Sequence, residues 1–131
     1  MTEYRRYQDA YGPLFADVVA VAGTQNYNGV LVPRDANHTI YVQRIVGAIT
    51  THSDGKSWTF QDTAGTPVPI HTYGDEVVAD VIQPGLSVDF GPRGTPLTQG
   101  ASLDIRGSAA GLAGRIHIEA YQKLTGVGVP A

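Results

Sequence analysis

The stretch HTIYVQRIVGAITT, residues 38 to 51, decides the fold class of this chain. It is rich in β-branched side chains. Branching at Cβ costs rotamer freedom in a helix but packs well on a pleated surface, so the run predicts a long strand. Its inward face begins as Ile40 and Val42, then continues as Ile45, Gly47 and Ile49 with the opposite parity. A change of parity inside one strand predicts a bulge near Gln43 and Arg44. His52-Ser53-Asp54-Gly55 is a turn signal, and Lys56 to Gln61 (KSWTFQ) returns with Trp58 and Phe60 on one face. The two runs are expected to pair as a hairpin.

Strand signals continue on both sides. Asp17 to Val21 (DVVAV) is short and apolar, and Gly29 to Val32 (GVLV) follows a turn cluster over residues 23–28. Val68 and Ile70 are interrupted by Pro67 and Pro69, which reads as an edge strand. Val77 to Ile82 (VVADVI) is another candidate strand. Leu86, Val88 and Phe90 alternate with polar residues, as do Leu103 and Ile105. In Arg115 to Gln122 (RIHIEAYQ), Ile116, Ile118 and Ala120 point one way and Arg115, His117, Glu119 and Tyr121 the other. No segment after residue 15 keeps a helical period. The class is all-β: an antiparallel β-sandwich or jelly roll of about eight or nine short strands, with a closed barrel as the other architecture of this kind.

Composition bounds the rest. The 131 residues suit one domain, large enough to bury a core without a metal or disulfide staple. The chain has no cysteine, which excludes disulfides, thiolate nucleophiles and Cys-type zinc sites. Only 16% of residues are charged, against about 25% in ordinary soluble domains, so much of the surface is neutral and polar, as in subunits that cover one another. A net charge of −3 argues against a nucleic-acid partner. No apolar run approaches the roughly 18 residues a membrane helix needs, and the N-terminus lacks a signal-peptide core. The protein is expected to stay in the compartment of its synthesis until it is assembled or released.

Residues 1–15 differ from the rest of the chain and read as an N-terminal arm, with a β-sandwich domain over 16–124 and a tail over 125–131. Tyr4, Tyr7 and Tyr11 are spaced three and four apart beside Arg5 and Arg6, a pattern that lines one face of a short helix, stopped by Gly12 and Pro13. Tyrosines offer large amphipathic contact area. Tyr4, Arg5, Arg6, Tyr7 and Tyr11 are therefore the candidate partner-contact residues.

Catalytic motifs are tested and fail. Gly91-Pro92-Arg93-Gly94 has no lysine and no following helix, so it is not a phosphate-binding loop of the P-loop kind, nor an RNA-clamping GxxG loop. It reads as a corner between sheets, with Leu97 plugging the core. His117 and Glu119 share a strand face, but two ligands do not make a metal site without a third. Gly107-Ser108-Ala109-Ala110-Gly111 lacks the centred serine of a nucleophile elbow. Asp75 and Glu76 fall in a turn, and Asp80, Asp89 and Asp104 on polar strand faces. Neither an enzyme nor a cofactor or metal is expected. Tyr27, Tyr41, Tyr73 and Tyr121 are possible sugar platforms, but they form no cluster in the sequence.

The segments AGTQNYNGVLVP (22–33), NHTIYVQRI (37–45), SWTFQDTAGTPV (57–68), DFGPRGTPLTQGASLDI (89–105) and GSAAGLAGRIHIEAYQK (107–123) resemble a family of small tailed-bacteriophage virion proteins, the jelly-roll type of capsid decoration, or cement, protein. The likeness covers residues 23 to 123 and leaves out the arm and the tail. It implies a homotrimer on the outer surface of a phage head, bound to the major capsid protein and stabilising the shell, with no catalytic residue. The alternative is a carbohydrate- or receptor-binding module of a phage tail or fibre.

Overall fold

The computed structural model describes residues 13–75 and 85–126, together with the backbone of residues 4–8. Among the described residues ten strands occur in this order: β1 (Tyr4–Gln8), β2 (Pro13–Ala20), β3 (Asn26–Leu31), β4 (His38–Thr51), β5 (Ser57–Asp62), β6 (Pro69–Gly74), β7 (Leu86–Asp89), β8 (Thr95–Pro96), β9 (Leu103–Gly107) and β10 (Ala113–Leu124). The larger sheet has the order β1-β2-β10-β4-β7, with β8 also on β4; the smaller is β3-β9-β5-β6. All pairings are antiparallel. The pairs β2–β10, β3–β9, β4–β7 and β5–β6 nest inside one another along the chain. A long antiparallel ribbon has been rolled into two packed sheets, which is the jelly-roll arrangement of a β-sandwich. Among the described residues no helix is long and apolar enough to cross a membrane.

The core lies between the sheets and follows the alternation in the sequence. The larger sheet buries Leu14, Ala16 and Val18 from β2, Ile40, Val42 and Ile45 from β4, and Ile116, Ile118 and Ala120 from β10. The smaller sheet answers with Tyr27, Leu31, Trp58, Phe60, Tyr73, Leu103 and Ile105. Trp58 and Phe60 are 1% and 0% exposed, and burying each contributes about 2–3 kcal/mol. β4 spans the long β-branched run, and its bulge is present. Arg44 faces Glu119 and Val42 faces Ala120 on β10, which leaves Gln43 as the extra residue. β6 is an edge strand that starts at Pro69, where its missing N–H costs least.

Four expectations are corrected. First, β4 and β5 are not a hairpin. They lie in different sheets, and residues 52–56 carry the chain across the sandwich. Second, residues 4–8 form a strand and not a helix: Tyr4 pairs with Val18, Arg5 with Asp17, Arg6 with Ala16 and Tyr7 with Phe15. Five residues are too few for a helix that stands alone, whereas the edge of β2 offers backbone partners to an extended segment. The sheet thus begins inside the segment read as an arm, and β2 starts at Pro13 rather than residue 16.

Third, the Gly91–Gly94 loop does not connect the sheets. β7 and β8 both pair with β4, so the loop is an excursion along one edge of β4, opposite the Gln43 bulge. Phe90 N–H donates to Gln43 O at 2.8 Å, and Gln43 Nε2 donates to Pro92 O at 2.8 Å. Gly94 returns the chain with φ +69°, and a Cβ there would sit 2.9 Å from Val42 O. The crossing comes later, where Leu97 enters the core with its N–H on Ile40 O, as expected of a core plug. Fourth, Asp104 is buried rather than on a polar face. It accepts from Gly29 N at the β3 bulge (2.7 Å) and from Arg106 Nη2 (2.8 Å). The candidate strand over 77–82 and Asp80 lie outside the described residues. Of the tail, Thr125 and Gly126 both donate to Asn37 O, and residues 127–131 lie outside the described residues.

Candidate functional site

The outward side of the larger sheet gathers the exposed chemistry. Register fixes its rows. Pro13, Tyr121, Tyr41 and Pro96 face one another across the sheet, then Phe15, Glu119, Arg44 and Asp89, then Asp17, His117, Val46 and Ser87, then Val19, Arg115 and Ala48. Of the four exposed large apolar residues among the described ones, three lie along β2 and just beyond it: Phe15 (37%), Val19 (41%) and Val21 (38%). An apolar stripe left at the surface marks a contact region more than a solvated one.

Polar groups on this face bind each other. His117 Nδ1 lies 2.6 Å from Asp17 Oδ1, and its Nε2 lies 3.8 Å from Glu119 Oε1. Arg44 Nη1 lies 3.4 Å from the other oxygen of Glu119. The His117–Glu119 pair singled out in the sequence thus belongs to an ionic row with Asp17 and Arg44. Among the described residues no group of three or more metal-binding side chains occurs. A shallow groove of about 590 Å³ runs beside this row, with Pro13, Phe15, Arg44, Pro92, His117 and Glu119 on its walls.

The next row holds a cluster the sequence did not reveal. Tyr41 and Tyr121 stack with centroids 5.0 Å apart and an interplanar angle of 7°, and Lys123 Nζ lies 5.5 and 5.6 Å from the two rings. The Tyr121 hydroxyl donates to Arg93 O. Eighty residues separate these tyrosines, and only the β4–β10 register unites them. The other two possible platforms, Tyr27 and Tyr73, are buried in the core.

The candidate contact residues of the N-terminus fall at one flank of the same sheet. Tyr4, Arg5, Arg6 and Tyr7 occupy β1, next to the Phe15–Val19 stripe, and Tyr11 lies outside the described residues.

A second polar centre sits where the chain crosses between sheets. The Asp75 carboxylate is fully buried and accepts from Tyr73 OH (2.8 Å) and Ser53 N (2.7 Å), with His52 Nδ1 at 2.8 Å. Burial works against its charge, but His52, Tyr73 and the Ser53 N–H outweigh it and hold the carboxyl below its usual range. The Tyr73 hydroxyl is pushed up to about 12 by burial and by the bond to Asp75. Asp62 behaves alike: burial opposes its charge, and donors from Thr98, Val68 and Ala64 prevail. These carboxylates staple loops and point to stability rather than to a reaction. On the smaller sheet, a shallow groove of about 580 Å³ is lined by Asn28, Gln61, Ala64, Pro67, Asp104 and Arg106 among others.

No protein-family model, curated protein or solved structure matches this chain.

Proposed function

We propose that this chain is a non-enzymatic structural virion protein, a decoration protein that binds the outside of a phage head and stabilises the shell. The observation that carries the reading is the outward face of the larger sheet. Exposed Phe15, Val19 and Val21 stand there beside charges already tied to one another, a combination suited to burial against another protein. The resemblance in residues 23 to 123 supplies the kind of partner, the major capsid protein, and favours a homotrimer. Repetition over a capsid lattice makes weak single contacts effective through avidity. The β1 segment, with Arg5 and Arg6, is assigned to grip the shell at the flank of that face.

The test is binding of the purified chain to phage heads stripped of it, followed by co-sedimentation and by the temperature at which heads release DNA. The intact chain is expected to bind and to raise that temperature. Deletion of residues 1–8, or Arg5→Glu with Arg6→Glu, is expected to weaken binding while circular dichroism stays that of a folded sheet protein. The deletion stops short of Pro13 because Leu14 is a core residue. Undiminished binding by the folded deletion variant refutes the role of β1. Failure of the intact chain to bind heads refutes the reading as a whole.

One observation favours the alternative, a carbohydrate- or receptor-binding module of a tail or fibre. The Tyr41–Tyr121 stack with Lys123 beside it is an aromatic platform at the surface. Saturable binding on a glycan array, abolished by Tyr121→Ala, would decide for that function.

A further inference from the structure

The outward face of the larger sheet is complementary to itself, and we infer that it pairs two copies of this chain about a two-fold axis. The inference stands on the face and not on the virion reading; with the face covered by a second copy, the capsid contact of that reading falls to β1 at its flank. Among its described side chains the charges balance, although the whole chain carries −3. Asp17, Asp89 and Glu119 are matched there by Arg44, Arg115 and Lys123. Two such faces brought together are therefore not repelled as two average faces of this acidic chain would be.

The order of residues along the strands supplies the geometry. The Asp17–His117–Val46 row lies midway between the Phe15–Glu119–Arg44 row and the Val19–Arg115–Ala48 row. An axis along the middle row, between two stacked faces, lays β10 on β10 of the second copy in the opposite direction. Glu119 then meets Arg115 of the second copy, and Phe15 meets Val19, each contact occurring twice. The two Asp17 carboxylates approach across the axis, each beside the His117 ring of its own chain. An axis parallel to the strands would instead set Glu119 against Glu119 and Arg115 against Arg115, so charge selects the first arrangement.

The area is that of a weak, reversible contact. About the middle row the two copies overlap over about nine residues each of β4 and β10, about seven of β2 and about three each of β1 and β7, which at about 4.8 Å between strands and about 3.3 Å per residue is roughly 500 Å² per face, or roughly 1,000 Å² for the pair. Tight specific interfaces bury about 1,200–2,000 Å². A threefold ring joins two different patches of each subunit, so this contact is separate from any trimer contact and makes even-numbered species, a dimer or two trimers back to back.

The experiment is sedimentation velocity with native mass spectrometry on the full chain across the micromolar range, at low and moderate salt. Even-numbered species are expected. Glu119→Arg and Arg115→Glu each place like charges opposite one another twice, and each is expected to weaken the association about tenfold. The double variant restores opposite charges and is expected to return to near the original affinity. Residues 115 and 119 lie about 13 Å apart along one strand, so the recovery cannot arise within a single chain. Monomers or trimers alone at all concentrations overturn the inference. So does a double variant no tighter than either single one. A face that stays unpaired in solution yet is protected on heads assigns it to the capsid and likewise overturns pairing between copies.

Discussion

Replacing Asp75 by alanine tests whether the crossover between the sheets is stapled by one buried carboxylate. The substitution deprives three donors. Tyr73 OH is buried, the Ser53 N–H is half-buried, and the His52 side chain is 37% exposed, so water can replace Asp75 only for His52. A hydrogen bond to a charged group is worth about 1.5–3 kcal/mol, so the two protected donors set a loss of about 3–6 kcal/mol. Asp75→Asn keeps an acceptor oxygen without the charge and should cost about 2 kcal/mol. For 131 residues the unfolding entropy is about 275 cal/mol/K, which turns the alanine loss into a drop in Tm of about 11–22 °C. Urea unfolding followed by the fluorescence of Trp58, the single tryptophan, is the assay; its ring lies 6.1 Å from that of Tyr73. A loss below about 1 kcal/mol for Asp75→Ala would mean that the crossover does not depend on this carboxylate, and the reasoning would fail.

The pH dependence follows from the same groups. Asp75 and Asp62 are both held below their usual value of 3.8 in the folded chain, so their contribution is complete above the unfolded value and is lost as pH falls through the folded one. Stability measured by urea midpoint should therefore hold from neutrality down to about pH 5 and fall steeply below pH 4, and the fall should be shallower in Asp62→Asn. Gly94→Ala should lose about 2 kcal/mol, because alanine at φ +69° is strained and its Cβ meets Val42 O; an unchanged urea midpoint would contradict the tight return of the loop.

Much of the fold was legible where one strand carries its own signal. The parity switch between Val42 and Ile45 announced the Gln43 bulge, because a two-residue period broken within an apolar run has few other solutions. Trp58 and Phe60 announced their burial in the same way. What failed was whatever depends on the partner of a strand. The turn residues His52 to Gly55 read alike whether the chain folds back in one sheet or steps to the other, and only the filling of the smaller sheet by β9 decides it. The Tyr4–Tyr7 spacing suits a helix, and the free edge of β2 overrides it. The candidate site was half visible. His117 and Glu119 stood out within one strand, while Asp17, Arg44 and the Tyr41–Tyr121 stack join them only through register, which no local pattern encodes.

The place of β10 in the larger sheet bears on how the molecule comes into being. It is the last strand in chain order among those described, yet it sits between β2 and β4, bonded to both. During synthesis, β2 and β4 wait with open edges until residue 124 has left the ribosome, and Asp17 cannot meet His117 until a hundred residues lie between them. Contacts of such long sequence separation make folding slow and leave adhesive strand edges exposed meanwhile. Folding of the sandwich is thus postponed until β10 has been translated, and nascent chains that stop before β10 should be the species that chaperones capture.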